Sequence, residues 1–283
     1  NPGLSGITAA VDNATSSEIS GNILFNFYNG IDLNSSLYDE TLEDQSVNIS
    51  NNECTTYGGA GISLNIDHYP NNSASLSIEN NSLTNYSLDK HINKGINNHG
   101  IYVEGYIEDK SASGSLTING NTCYGYYGNG INTYTPFFSD LTITNNNSTG
   151  NSGNGCRVVF DGDSAFTTNA NISGNTFSDN FENGLVLYMD VFNQSAVLTN
   201  FLVDAKFNTI SGNGINGVAI TNSVNPPVEL HFNNLYDNSD NDVLLAFPLL
   251  KKKEIAKKNE IKQKQKYEKI KKKLQNEKKN KKE

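Results

Sequence analysis

The stretch NISGNTFSDNFENGLVL, residues 171–187, decides the fold. Ile172, Phe177, Leu185 and Leu187 fall in short runs in which apolar residues stand two apart. That is the alternation of a strand, not the 3.6-residue period of a helix. Asn175, Asn180 and Gly184 separate the runs. Aligned on Asn175, the same arrangement recurs along the chain, with anchors at Asn22, Asn52, Asn81, Asn121, Asn146, Asn175, Asn208 and Asn233. Three residues before the anchor stands Ile19, Ile49, Ile78, Ile118, Ile143, Ile172, Ala205 or Leu230. Two after it stands Leu24, Cys54, Leu83, Cys123, Ser148, Phe177, Ile210 or Leu235. Nine after it comes Gly61, Gly130, Gly155, Gly184 or Gly217, followed by an apolar-x-apolar pair. The first copy is one residue short, and the third carries ten extra residues before Gly100.

One such unit buries too few apolar residues to stand alone, so stacked neighbours must complete the core. Two solenoids compete. A leucine-rich repeat needs an apolar residue eight before the Asn, where this chain has Asp44, Ser113, Thr167 and Asn225. The second half of the unit is instead another strand, Gly-Ile-x-Val. The reading is therefore all-β: a right-handed parallel β-helix solenoid of about eight coils over residues 1–250, with a partial coil at 1–18. Because "GITAAV" at 6–11 reads as the second half of an earlier coil, residue 1 is not expected to be the native start.

The repeat resembles that of the pectate-lyase-like superfold. Related repeats occur in adhesin-like surface proteins and in periplasmic proteins of the nitrous-oxide-reductase maturation type. The resemblance covers roughly residues 19–247. It implies the fold, and it implies a secreted or cell-surface protein, or a periplasmic one. It does not carry an activity, because this superfold hosts many.

Asn52, Asn121, Asn146, Asn175 and Asn208 are expected to turn the chain and to bond one another along the axis, since Asn tolerates left-handed backbone and stacked amides form ladders. Gly61, Gly130, Gly155, Gly184 and Gly217 are expected to supply a positive φ before the next strand. Cys54, Cys123 and Cys156 are read as buried free thiols, because two coils separate Cys54 from Cys123, roughly 9–10 Å at one strand spacing per coil.

Function is expected in the unrepeated connections after each Gly-Ile-x-Val strand, which a solenoid gathers on one face. Aromatic rings beside carboxylates there suit sugars, and Tyr69, Tyr134, Phe160, Tyr188, Asp67 and Asp190 are the candidate glycan-binding residues. The alternative for these side chains is padding of loops onto the barrel. Asp161 and Asp163 in "DGD" are a weak Ca²⁺ candidate; otherwise no cofactor is expected. The reading is of a non-catalytic, adhesin-like rod; a carbohydrate-active enzyme is the alternative, and an inert spacer the third. The acid–base motifs of β-helix lyases and hydrolases are absent. Arg157, the single Arg, points outward by its alternation phase, and His99 merely precedes Gly100-Ile101.

Charge is split along the chain. Residues 1–250 carry 5 Lys and Arg against 25 Asp and Glu, net −20, whereas 251–283 carry 16 Lys against 5 Glu, net +11. The acidic body argues against nucleic acid as its partner. The tail reads as a solvated helix or a disordered segment, with Glu254, Glu260, Glu268 and Glu277 each four before a Lys. Its alternative is an arm for anionic surfaces. No apolar run reaches the length of a membrane span.

Overall fold

The computed structural model describes residues 5–12, 16–37, 45–68, 74–86, 98–107, 114–134, 139–161, 169–190, 202–221 and 228–246. The chain separates into a unit of residues 1–246 and a second of 247–283, and the Lys-rich tail lies outside the described residues. Every described strand belongs to one of three parallel sheets of nine, eight and eight strands, each strand pairing with its counterparts in the coils before and after. The chain is thus a parallel β-solenoid with three strands per coil. No helix among the described residues is long and apolar enough to cross a membrane.

The opening stretch shows how one coil is made. Asn169–Ser173 lies before the anchor Asn175, Thr176–Ser178 follows it, and Leu185–Asp190 closes the turn. We call the three stacks the pre-anchor, post-anchor and long sheets. The registers match the anchor alignment: Ile118, Ile143, Ile172 and Ala205 pair in sequence, as do Cys123, Ser148, Phe177 and Ile210. These residues point inward and form a single core that runs the length of the solenoid. Of the eight coils expected, about six are fully enclosed. Six coils, Gln45–His68 through Leu202–Thr221, have a neighbouring coil on both sides. The first and last are end rungs. Ile19, Leu24, Val228, Leu230 and Leu235 are only partly buried, and inward-facing Leu245 is 50% exposed.

Three lines of Asn hold the coils in register. In the first, each anchor gives its backbone N–H and its Nδ2–H to the Oδ1 of the next anchor, as from Asn146 to Asn175 at 2.9 and 3.0 Å. The second Nδ2–H of Asn146 goes to the Ile118 carbonyl of the preceding coil at 2.8 Å. A second line, Asn151, Asn180, Asn213 and Asn238, repeats this pattern. A third line, Asn129, Asn154, Asn183 and Asn216, runs the other way, each Asn donating to the Oδ1 of the preceding coil. Such ladders satisfy buried amides completely and so favour one register.

The corners correct two expectations. The anchors do not adopt left-handed backbone; the residue before each does. Gly21, Asn51, Asn80, Gly120, Asn145, Gly174, Phe207 and Phe232 all have φ between 52° and 69°. Gly and Asn are the residues that reach this region most readily, whereas each Phe costs about 1–2 kcal/mol there. The plus-nine glycines have ordinary φ, and their reason is space. A Cβ on Gly155 would lie 2.7 Å from the Gly184 carbonyl oxygen and 2.9 Å from Phe177 Cβ. In the fourth coil Tyr126 replaces the second-line Asn, and its ring is fully buried in the interior.

Candidate functional site

The long sheet continues past the repeated Gly-Ile-x-Val into the segments expected to be loops. Asp67, Tyr134, Phe160, Asp161, Tyr188 and Asp190 therefore sit on strands, in Ile62–His68, Ile131–Tyr134, Cys156–Asp161 and Leu185–Asp190. Strand alternation then decides which way each points. Asn34, Asn65, Glu104, Tyr134, Val159 and Tyr188 pair in succession and form one outward row, so neighbours stand about 4.8 Å apart. Asp67 belongs to the next outward row.

At the first coils this face holds an open groove of about 490 Å³ lined by Asn34, Ser36, Asn65, Asp67 and Glu104. Asn65 Nδ2 donates to Asn34 Oδ1 at 3.0 Å, and both side chains are exposed. The Tyr102 hydroxyl donates to Glu104 Oε2 at 2.5 Å and fixes that carboxylate at the groove wall. Burial, helped by the Glu104 contact, pushes the Tyr102 phenol well above its usual range, so it serves as a donor rather than a base.

Further along, Tyr102, Asn132 and Arg157 share a neighbouring outward row. Arg157 is outward, as its phase implied. One guanidinium N–H reaches Asn132 Oδ1 at 3.3 Å, and the group lies 5.6 Å from the centre of the Tyr188 ring. Tyr134 and Tyr188, two coils apart, are both partly exposed. The face thus offers hydrogen-bonding groups at one end and rings at the other.

Phe160 is a correction. It is 6% exposed and belongs to the core, because its parity with Cys156 and Val158 turns it inward. Tyr69 and Asp163 lie outside the described residues. The backbone of Asp161 pairs with that of Asp190, but neither side chain is among those described. Among the described residues no group of three His, Cys, Asp or Glu is placed to hold a metal ion. The three cysteines are free and buried, as expected, and burial pushes the Cys54 thiol up to about 12 and the other two higher. Thiols held neutral in this way are poor nucleophiles.

His99 extends the third Asn line. Its Nδ1 accepts the Asn129 backbone N–H at 2.8 Å, where sister coils use an Asn oxygen, and its ring stacks on Tyr102 at 5.5 Å. Burial, with Arg157 acting in the same direction, pulls its pKa down to about 4. Donation from Asn129 also occupies the Nδ1 lone pair that a proton would need. Below an unfolded value of about 6.5 the unfolded chain binds a proton here that the folded chain refuses. Folding stability from this group is thus full above that pH and drains as the pH falls toward about 4. His99→Asn keeps a ladder acceptor that does not titrate. Urea unfolding at a series of pH values should show the variant losing about 2–3 kcal/mol less than the parent between pH 6.5 and 4. Parallel curves would assign the acid sensitivity to other groups.

The second Asn line falls on a position the repeat already marks, that of Asn180, whereas the third was not anticipated, although Asn129, Asn154, Asn183, Asn216 and Asn241 each stand directly before the repeat's Gly or its equivalent. No protein-family model, curated protein or solved structure matches the chain.

Proposed function

We propose that the solenoid is a non-catalytic, adhesin-like rod, secreted or displayed at a cell surface, that binds a glycan along the outward face of its long sheet. The observation that carries this reading is the row from Asn34 and Asn65 through Glu104 to Tyr134 and, beyond buried Val159, Tyr188. A sugar presents hydroxyls at its edge and C–H groups on its face. The amides and carboxylates of the groove suit the first, and the tyrosine rings suit the second. Repeated sites at coil spacing suit an extended chain, to which weak contacts add along its length.

The test pairs a glycan array with a product assay. Tyr134→Ala with Tyr188→Ala should lower retention of the bound glycan about tenfold, since two stacking contacts of roughly 0.7 kcal/mol each are lost. Unchanged retention would move the site elsewhere. Incubation with pectin, alginate and host glycans, with and without Ca²⁺, is expected to yield no unsaturated or reducing ends; turnover of any of them would replace the rod reading with the enzyme reading. No binding and no turnover would leave the spacer.

A further inference from the structure

The corner before the anchor carries a second feature that neither the repeat nor the long sheet explains. Six of the eight residues at this left-handed position are Gly or Asn, and the last two are Phe207 and Phe232. Both rings are solvent-facing, at 60% and 80% exposure, so burial does not account for them. They stack on each other in adjacent coils with centres 5.3 Å apart and planes within 8°. A bulky residue held at positive φ is an outlier that invites a functional explanation. Here the strain is repeated in register, beside sister coils that avoid it.

The surroundings narrow the ligand. Next to the two rings, on the outward face of the pre-anchor sheet, Lys206 pairs with His231 and Asp204 with Glu229. Lys206 Nζ donates to Asp204 Oδ2 at 2.5 Å, and His231 Nε2 lies 3.1 Å from Glu229 Oε2. The His231 ring lies 6.2 Å from that of Phe232. A flat apolar surface is therefore bordered on one side by the Lys206–Asp204 ion pair and the His231–Glu229 contact, with carboxylates in both. Such a surface fits a ligand with an apolar face, a hydroxylated edge and no charge.

We propose that Phe207 and Phe232 form a stacking platform for a neutral hexopyranose, a second glycan contact separate from the long-sheet face. The proposal rests on reading the chain as a glycan binder. Its test uses the residue that sister coils place at the same backbone conformation. Phe207→Asn with Phe232→Asn matches Asn51, Asn80 and Asn145, so the corner keeps its fold. Binding to an array of neutral and acidic glycans is measured alongside thermal unfolding of the full chain. The expected result is at least a tenfold loss of affinity for neutral glycans, with an unfolding midpoint unchanged or raised as the strain is relieved. A lowered midpoint with unchanged binding would overturn the proposal and make the pair a structural clasp. Loss of self-association in the variant, with glycan binding intact, would overturn it in favour of a second copy as the occupant. If the Tyr134 and Tyr188 double variant alone abolishes binding, the platform fails and the long-sheet reading stands. If the Phe double variant alone does so, the platform stands and the long-sheet reading fails. A parent that retains no neutral glycan overturns the platform outright.

Discussion

Asn146→Ala should cost about 3–5 kcal/mol and remove much of the protein's resistance to unfolding. Asn146 Oδ1 accepts both the backbone N–H and one Nδ2–H of Asn121, at 2.9 and 3.0 Å. Its own Nδ2 serves Ile118 and Asn175. Alanine takes away all four bonds, strands the Asn121 backbone N–H and leaves Asn121 Nδ2 only the Ile78 and Asn119 carbonyls, in a site 1% exposed. A stranded donor costs about 1–3 kcal/mol, against a total stability of about 5–15 kcal/mol for a typical domain. Asn22→Ala is the control. Asn22 is partly exposed, and its Nδ2 bonds to Asn52 Oδ1 and to the Ser20 carbonyl, so water replaces most of what is lost and the cost should stay near 1 kcal/mol. Urea unfolding of both variants tests the ladder. Equal, small losses would mean that the Asn line is decoration on a stack held by its apolar core.

Gly184→Ala should be nearly as damaging, at about 2–4 kcal/mol, for a reason unrelated to backbone freedom. The added Cβ would lie 2.2 Å from Ile210 Cγ2 and 2.8 Å from both Asn213 Nδ2 and the Gly217 carbonyl oxygen. Two of those atoms belong to neighbouring ladders, so the coil cannot shift to make room without loosening them. Gly21→Asn separates the two roles a glycine plays here. Gly21 has φ +67° and nothing within 4 Å of its would-be Cβ, and Asn fills the same corner in the next coil. That variant should unfold within a few tenths of a kcal/mol of the parent. Comparable losses at both glycines would refute the distinction.

The parts of the fold that could be read from residues are those set by side-chain parity. Ile172, Phe177, Leu185 and Leu187 were placed inward from alternation alone, and the three strands of their coil follow. What sequence did not reveal depends on neighbours in the stack. Gly184 is close to the next coil rather than bent, and nothing in a single repeat shows the side chain opposite it. The sequence points to the anchor and not to its predecessor as the left-handed corner, because Phe207 and Phe232 break the Gly and Asn pattern that would mark it. The candidate site was legible in part. The chemistry of Tyr134, Tyr188 and Asp67 marks them in the sequence, and they fall on one face. Phe160 has the same chemistry, but the alternation extended from Cys156 turns it inward. The groove residues Asn34, Asn65 and Glu104 could not be gathered without the register, since 31 and 39 positions separate them along the chain.

The opposed direction of the Asn lines has a bearing on how such a chain avoids misfolding. Anchor-to-anchor lengths range from 25 to 40 residues, so contour length cannot tell a growing coil where to stop. The edge of a finished coil instead carries a code: donors on two lines and an acceptor on the third. A newly arriving segment completes all three only when aligned residue for residue. A slip of one position reverses every side chain and sets carboxamide donors against one another. Each completed turn is thus a template that proofreads the next, and the ladder stays unbroken across the longest spacing, with Asn81 bonded to Asn121 at 2.9 Å. Chains built on this rule can lengthen, shorten or exchange their connecting segments without renegotiating the alignment of what lies beneath.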